Sequence, residues 1–432
     1  KEKDIAGLTD EQLQLIDTLL DNVKICDPAI GSGAFPMGLL QEIFSIKEII
    51  AYELRNEWNP AGVKESIIQN SIYGVDIERG AVDIARLRFW LSLLVDSTQP
   101  KPLPNLEYKI VVGNSLVSKF RDEAIDIDWE IKEGTQAKMF GNEELLKRQK
   151  LLKEITESQK KYFDADAENK EDLALTIRNQ KINLLINQLS LMIQTQGEEN
   201  VPSGSGKKAK ERMERYQNAK YWKRLRRILV NLRNYPEKNF NHFDWKLDFP
   251  EILNEQFTDD AGFDIIIANP PYVKEYTNKD AFDGFRDSPY YEGKMDLWYG
   301  FACIGIDMLK EKGVECYIAQ NNWVTSSGAS KMRKKILSDT KILKLADFGS
   351  YKIFNSASIQ TMVMLFQKDE KSDDYRAEVF RIEKQSAEFS DVVSLLSEVE
   401  KEGLSYLKPK INREFLEGEY LTFSDTKVLD LL

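Results

Sequence analysis

Residues 263–272 read FDIIIANPPY, a run of apolar, mostly β-branched residues that ends at two consecutive prolines. Residues 263–267 alternate little between apolar and polar positions, which is typical of a strand buried on both faces of a sheet. Proline cannot continue a sheet ladder, so the pattern predicts that Asn269 and Tyr272 are held at a rigid strand end. Open α/β sheets bind ligands beyond such strand ends. The tetrapeptide 269–272 is therefore the leading candidate for a functional site.

Composition sets the frame for this stretch. The chain has 432 residues, 42% of them hydrophobic, which predicts a globular protein of two or three structural units. Its formal net charge is -11, so contact with nucleic acid would depend on a local basic segment. The three cysteines show no CxxC spacing and histidine occurs once, so no metal site is expected and a reducing, cytoplasmic setting is favoured. Neither a membrane span nor a secretory signal is expected.

A glycine-containing loop follows the first predicted strand. Residues 23–26 form a short apolar strand that runs into DPAIGSGAF at residues 27–35, and a largely apolar helix follows. Gly31 and Gly33 would let the backbone turn sharply and let a ligand approach closely. A GxG pattern alone is also typical of an ordinary strand-to-helix turn. Pro36 stands where a dinucleotide-binding fingerprint has its third glycine, so NAD is disfavoured.

Two further strands end in polar side chains. SIYGVDIE at residues 71–78 predicts a strand ending in Asp76, whose carboxylate suits the hydroxyls of a ribose but is equally typical of an exposed strand end or helix cap. A third strand at residues 108–112 leads into Asn114. Because parallel strands place their carboxyl ends at one edge, we expect Asp27, Asp76 and Asn114 to lie at the same edge as NPPY.

The chain changes in character over residues 122–236. Glu, Lys and Gln dominate residues 143–191, and apolar residues recur at helical spacing, which predicts a long helical hairpin. Residues 207–238 hold twelve basic residues against three acidic ones. This basic segment suits contact with phosphates, although a solvated helix face is the other interpretation. The candidates for phosphate contact are Lys223, Arg224, Arg226 and Arg227.

The rest of the chain predicts further elements. His242 is expected to be structural, because no nucleophile or set of metal ligands accompanies it. Asp296 is expected to cap a helix at residues 297–310. Residues 273–292 are interpreted as a loop that closes over a site. The other predicted elements are strands at residues 315–320 and 343–347, an edge pair at residues 351–354 and 361–366, and a helix at residues 392–407.

The strand ends DPAIGSGAF, GVDIE, GNSL and IANPPY, separated by helices, predict a doubly wound α/β sheet. This set resembles the S-adenosylmethionine-dependent DNA adenine-N6 methyltransferases, and more narrowly the type fused in restriction-modification enzymes (type IIG or type IIS-like). The resemblance covers roughly residues 23–368. It implies a Rossmann-like methyltransferase sheet of about seven strands, the last one antiparallel, with a helical insertion.

The resemblance also implies a division of the chain. Residues 1–121 would form the first half of the methyltransferase core with the cofactor loop, and residues 122–238 the helical, partly basic insertion. Residues 239–370 would form the second half with NPPY, and residues 371–432 a connector toward a target-recognition domain outside this chain. Nuclease and target-recognition domains are expected in the same parent chain, with double-stranded DNA as the partner and no membrane association.

The family's cofactor, S-adenosyl-L-methionine, implies binding roles for residues that match its motifs. Asp76 would hold the ribose hydroxyls, and Ile77 would lie against the adenine ring. Asn114 stands where the family often has Asp in contact with the adenine amine, and its side-chain oxygen can still accept a hydrogen bond. The loop residues that would frame the methionine part are Asp27, Pro28, Gly31, Gly33 and Phe35.

The resemblance assigns catalysis to Asn269, Pro270, Pro271 and Tyr272, and base stacking to Tyr272 with Phe354 opposite it. The chemistry of adenine fits this assignment. Its amino nitrogen is a poor nucleophile because the lone pair is delocalised, so acceptors such as the Asn269 side-chain oxygen and the Pro270 carbonyl would help by binding both N–H groups. Flipping the base out of the duplex costs a few kcal/mol, and stacking on an aromatic ring returns about 1–3 kcal/mol.

Two alternatives stay open at this point. NPPY enzymes also include S-adenosylmethionine-dependent protein glutamine N5 methyltransferases, although the basic insertion favours a DNA substrate. The chain could instead be an inactive, cofactor-binding specificity subunit, against which the intact Asn-Pro-Pro-Tyr sequence argues. We find no convincing PD...(D/E)xK nuclease arrangement in the sequence, so a nuclease is expected upstream of Lys1.

Overall fold

The computed structural model describes residues 5, 7–96, 106–120, 123–124, 127–129, 142–163, 167–255, 260–354, 359–369, 375–411 and 420–423. The chain forms two compact units. The sheet unit comprises Lys1–Leu103, Lys109–Val117 and Asp260–Leu432, and the helical unit comprises Pro104–Tyr108 and Ser118–Asp259. Among the residues described, none of the helices combines the length and the apolar character that a transmembrane span requires.

The strands in chain order are β1 (Ile25–Asp27), β2 (Ile72–Asp76), β3 (Ile110–Val112), β4 (Lys119–Phe120), β5 (Glu123–Ala124), β6 (Phe263–Ala268), β7 (Leu309–Gln320), β8 (Thr340–Asp347), β9 (Thr361–Lys368), β10 (Tyr375–Arg376), β11 (Glu378–Ile382), β12 (Leu404–Leu407) and β13 (Lys410–Ile411). The α-helices are α1 (Asp10–Asn22), α2 (Ala34–Glu53), α3 (Pro60–Ser71), α4 (Arg79–Leu94), α5 (Asn142–Phe163), α6 (Ala167–Gln196), α7 (Lys207–Arg233), α8 (Trp245–Asp248), α9 (Pro250–Leu253), α10 (Trp298–Met308), α11 (Ser330–Asp339) and α12 (Phe389–Leu396).

Nine of the described strands form one sheet in the order β12-β11-β8-β9-β7-β6-β1-β2-β3. Strand β6 lies between β1 and β7 and runs parallel to both, with Ile266 beside Cys26 and Ile267 beside Cys316. From the β1/β6 pair the parallel strands follow chain order outward, through β2 and β3 on one side and to β7 on the other, so this pair is the topological switch point of a doubly wound sheet. The predicted α/β fold class is confirmed, and the strand before NPPY occupies its centre.

The predicted edge pair at residues 351–354 and 361–366 is wrong, because β9 is not an edge strand. It lies inside the sheet, antiparallel to both β7 and β8, and residues 351–354 form no strand. Met362, Met364 and Phe366 of β9 are buried, so the apolar character of the segment was informative while its position was not. Position depends on pairing between segments far apart in sequence, which a local pattern does not report. Strands β1, β2, β3, β6, β7, β8 and β9 correspond to the seven strands expected for the core. The last of them in chain order, β9, is antiparallel, as expected.

The described residues after β9 extend the sheet. Strand β11 runs parallel to β8, and β12 runs antiparallel to β11, which gives nine strands where about seven were predicted. The predicted helix at residues 392–407 is correct only as far as Leu396, where α12 ends before the chain returns as β12. The cause is local, because Glu398 and Gly403 both have positive φ and turn the backbone out of the helix between these elements.

The helices of the sheet unit largely follow the sequence pattern. Helix α1 begins with a capping box in which Thr9 and Gln12 exchange side-chain hydrogen bonds. A second helix, α3, lies between α2 and the second strand. Helix α10 is shorter than the predicted 297–310, with Leu297 at its N-cap position, because the chain enters β7 at Leu309 beside Phe263.

The helical unit contains the predicted hairpin as α5 and α6, with α7 packed against them. Its core is made of apolar side chains, among which Ile155, Ile182, Leu185, Leu225 and Leu229 are each at most 1% exposed. Within the same unit, Lys181 and Asp248 form a buried ion pair with an N–O distance of 2.6 Å.

Candidate active site

Backbone hydrogen bonds tie the glycine loop to the neighbouring strand. The amide of Ile30 donates to the carbonyl oxygen of Val75 at 3.0 Å, and the amide of Gly31 donates to Oδ2 of Asp76 at 2.9 Å. Gly31 and Gly33 adopt φ values of +51° and +81°, which disfavour other residues. A Cβ atom at Gly33 would lie 3.2 Å from the Cβ of Ala85 in α4. The backbone conformation therefore favours glycine at both positions, and close packing against α4 adds to this at Gly33.

Asp27 ends β1 as a buried carboxylate, 1% exposed. Its Oδ1 accepts a hydrogen bond of 2.9 Å from the amide of Ala29. Burial raises the pKa of Asp27 to about 8, the Ala29 hydrogen bond offsets part of that rise, and the nearby charge of Asp76 adds to it. A carboxyl group in this state is costly to ionise until a cationic or hydrogen-bonding ligand arrives.

Asp76 and Ile77 form a polar and apolar pair at the end of β2. Oδ1 of Asp76 accepts from the amide of Glu78 at 2.9 Å, so both carboxylate oxygens have one backbone donor and keep a lone pair for a ligand. Ile77 is 69% exposed. An exposed isoleucine beside a fixed carboxylate suits a nucleoside, whose hydroxyls and ring need those two surfaces respectively. These residues therefore fit the cofactor that the motifs imply.

The end of β3 completes this edge. Ser115 is buried and donates from Oγ to the carbonyl oxygen of Pro28 at 2.6 Å, which joins the third strand end to the glycine loop. Oδ1 of Asn114 accepts from the amides of Leu116 and Val117 at 2.9 and 3.2 Å. Both lone pairs of that oxygen are thus used by the backbone, so Asn114 would offer a ligand its Nδ2 donor group. Phe35, at the start of α2, is half-buried.

The NPPY segment leaves the centre of the sheet directly after β6. Asn269 and Tyr272 are half-buried, Pro270 is buried and Pro271 is exposed. The Tyr272 hydroxyl lies 2.5 Å from Oδ1 of Asn269 and 2.8 Å from the carbonyl oxygen of Ile318 in β7. Burial, with a smaller contribution from the charge of Asp296, raises the pKa of Tyr272 well above its ordinary value, so the hydroxyl stays protonated and donates.

Asp296 is a functional candidate that the sequence interpretation missed. It pairs with Lys274 in an isolated antiparallel bridge and is 3% exposed. Neither of its carboxylate oxygens has a hydrogen-bond partner of normal geometry among the described residues. Burial raises its pKa to about 6, with nearby backbone amides opposing that rise. The signal in the sequence was a lone acidic residue in the apolar run MDLWYGFACIGI, which we interpreted only as a cap.

Residues 70–354 match the family described as Eco57I restriction-modification methylase. The chain belongs to this family. The match includes Asp76, Asn114 and NPPY and ends at Phe354, whereas Asp27 and the glycine loop precede it. The family match thus includes the ends of β2, β3 and β6 but not the end of β1.

Relatives of this Eco57I-family chain include restriction-modification proteins. A putative type II restriction enzyme and methyltransferase of Methanocaldococcus jannaschii is 30% identical over 82% of this chain and 31% of its own length. The type II methyltransferase M.HincII of Haemophilus influenzae is 24% identical over 38% of this chain and 33% of its own length. The chain therefore spans about a third of the length of these relatives. A nuclease-deletion mutant of the type ISP enzyme LlaGI with a DNA substrate mimic gives a TM-score of 0.45 at 13% identity, covering 95% of this chain and 25% of that one.

The predicted DNA-contact residues of this Eco57I-family chain divide into two groups. Lys223, Arg224 and Arg227 are exposed on α7, whereas Arg226 is half-buried and donates to Oγ of Ser190 at 3.3 Å. Phe354 is half-buried at the end of the described segment 260–354. The structure records no contact between Phe354 and Tyr272 within that segment, so their joint stacking role stays a prediction.

His242 lies in the helical unit. Its Nδ1 is 3.0 Å from the carbonyl oxygen of Lys119, and its ring packs edge-on to Phe120. These contacts fit the structural role that the sequence suggested.

Proposed function

We propose that this chain transfers a methyl group from S-adenosylmethionine to the N6 amine of an adenine flipped out of double-stranded DNA, as the modification part of a restriction-modification system. One juxtaposition carries the proposal. Asn269 directly follows β6 at the β1/β6 switch point. It therefore lies at the same edge of the sheet as Asp27, Asp76 and Asn114. An amine acceptor and a nucleoside-binding edge are thus neighbours.

The acceptor pair would activate the amine. Oδ1 of Asn269 and the carbonyl oxygen of Pro270 would each accept one N–H of the adenine amine, which draws the nitrogen lone pair out of conjugation with the ring. The proline rings fix the direction of the carbonyl, so little reorganisation is needed when the base arrives. When bound, S-adenosylmethionine supplies an electrophilic methyl group on a sulfonium. The chain would hold the amine in line with that methyl group, so that the N–C bond forms as the S–C bond breaks and the amine releases one proton to solvent.

The cofactor side of the edge would be held by three strand ends. Asp76 would accept the ribose hydroxyls, and Ile77 would cover one face of the adenine ring. Asn114 would donate from Nδ2 to a ring nitrogen, since its oxygen is committed to the backbone. This differs from an acceptor role toward the adenine amine, so the cofactor's amine would need another partner.

Family membership weighs against the two alternatives. A protein glutamine methyltransferase would use the same acceptors, but the matched family is one of restriction-modification methylases. An inactive specificity subunit has no use for an ordered Asn269 acceptor beside Tyr272. The Methanocaldococcus relative is a putative restriction enzyme and methyltransferase, and the match covers 31% of its length. A parent chain with nuclease and target-recognition parts is therefore part of the proposal.

The test is transfer of a tritiated methyl group from S-adenosylmethionine. Incubated separately with mixed-sequence DNA and with a translation release factor, the chain should label the DNA alone. Nuclease digestion and mass spectrometry should then find N6-methyladenine. Label in the release factor would favour the glutamine methyltransferase. If both substrates stay unlabelled while S-adenosylhomocysteine binds, the chain is a cofactor-binding module and the proposal is wrong.

A further inference from the structure

Helix α7 of the helical unit carries a regular cationic face. Lys220, Lys223, Arg224 and Arg227 are all exposed and follow the spacing i, i+3, i+4 and i+7. Side chains at this spacing lie on one face of an α-helix. Together with Tyr216 and Tyr221 they line a cavity of about 630 Å³ on the surface of this unit. We call these four cations the α7 stripe.

Two arginines of the same helix serve packing. The opposite face of α7 buries Ala219, Trp222 and Leu225. Beside that apolar face, Arg226 donates to Oγ of Ser190, and Arg233 donates to Oδ1 of Asn183 at 3.0 Å. Arg226 and Arg233 thus hold the helix to α6, whereas the four cations of the α7 stripe face outward.

The cavity also contains two carboxylates, which weaken its positive potential. Glu198 is engaged by Arg212, with an N–O distance of 2.8 Å. Glu199 is the second. Four cations against two carboxylates, one already paired, leave the cavity positive in a chain whose net charge is -11. A local concentration of positive charge on an acidic protein attracts a polyanion, whereas the negatively charged remainder of the protein repels it.

We propose that the α7 stripe binds the sugar-phosphate backbone of duplex DNA. The stripe spans about 10 Å along the helix axis, at 1.5 Å per residue. That length corresponds to roughly three nucleotide steps of one strand at 3.4 Å each. Lys and Arg neutralise phosphates, and tyrosine hydroxyls such as that of Tyr216 donate to phosphate oxygens without reading sequence. This site positions DNA, and it rests on the proposed function for the identity of the polyanion.

The test compares two variants of the full chain with equal loss of charge. The stripe variant is Lys220→Gln, Lys223→Gln and Arg227→Gln, and the control variant is Lys150→Gln, Lys153→Gln and Lys160→Gln, at exposed positions of α5. Gln is a good helix former, so both should keep the helical content of the parent by circular dichroism. Affinity for a fluorescein-labelled, mixed-sequence DNA duplex is measured by anisotropy from about 50 to 200 mM salt.

Removal of three phosphate contacts should lower the slope of log affinity against log salt by about 2 to 3, since each contact contributes about 0.9. The affinity at the lowest salt should fall at least about tenfold, and the control variant should follow the parent. An unchanged slope in the stripe variant would make the stripe a solvated helix face, and equal losses in both variants would make the effect one of total charge. Either result overturns the proposal. Because the readout is binding without cofactor, it stays distinct from a failure of methyl transfer.

Discussion

The hydroxyl oxygen of Tyr272 lies 2.5 Å from Oδ1 of Asn269, the atom that the proposed reaction assigns to the adenine amine. The same hydroxyl lies 2.8 Å from the carbonyl oxygen of Ile318, so its single proton is shared between two acceptors. Tyr272 therefore has two relations to an incoming base. Its ring offers a stacking surface, while its hydroxyl competes for the acceptor that the base requires.

These two relations can be separated by substitution. Tyr272→Phe keeps the ring and frees Oδ1 of Asn269, so we expect methyl transfer within about tenfold of the parent and no weaker base binding. Tyr272→Ala removes the ring and should cost about 1–3 kcal/mol of stacking, or roughly 5- to 150-fold in kcat/KM for DNA. Steady-state transfer of tritiated methyl groups measures both. If the Phe variant loses as much as the Ala variant, the hydroxyl is needed for the reaction and the competition account is wrong.

Asp76 should control cofactor affinity. Asp76→Ala removes a charged acceptor that is also bonded to the amides of Gly31 and Glu78, so the affinity for S-adenosylhomocysteine should fall by about 1.5–3 kcal/mol, roughly 10- to 150-fold. Asp76→Asn keeps one acceptor oxygen and should lose less. Isothermal titration gives both values, and thermal unfolding without ligand shows whether the loop remains folded. Unchanged affinity in a folded Ala variant would remove Asp76 from the cofactor site.

Asp27 should make stability depend on pH. Burial first, and Asp76 second, raise its pKa from 3.8 to about 8, so between these values the folded chain holds a proton that the unfolded chain releases. Raising the pH through this window therefore favours unfolding, at no more than about 1.4 kcal/mol per pH unit. Asp27→Asn keeps an acceptor for Ala29 and should remove this contribution. Denaturant midpoints measured between about pH 4 and about pH 8 should fall more steeply with pH for the parent than for Asp27→Asn. Parallel curves for the two proteins would show that Asp27 does not titrate in this window.

Much of the site was predictable because its signals are local. A β-branched run stopped by two prolines and a strand-glycine-helix transition are encoded within about ten residues each. The position of β9 was not, because it depends on pairing with β7 and β8. The burial of Asp296 near Tyr272 was not either, since it arises from tertiary packing. By contrast, helical spacing alone could have added Lys220 to the exposed face of α7 and assigned Arg226 to its packed side.

The most direct measurement is single-turnover methyl transfer to DNA by Asn269→Ala, compared with Asn269→Asp and the parent at saturating cofactor. Deleting the acceptor should lower the rate about 100- to 1000-fold, by analogy with removal of one preorganised hydrogen-bonding group, while S-adenosylhomocysteine affinity stays the same. Asn269→Asp retains an acceptor oxygen and should keep more activity than the Ala variant. Undiminished formation of N6-methyladenine by Asn269→Ala would contradict the assignment of this strand end as the catalytic site.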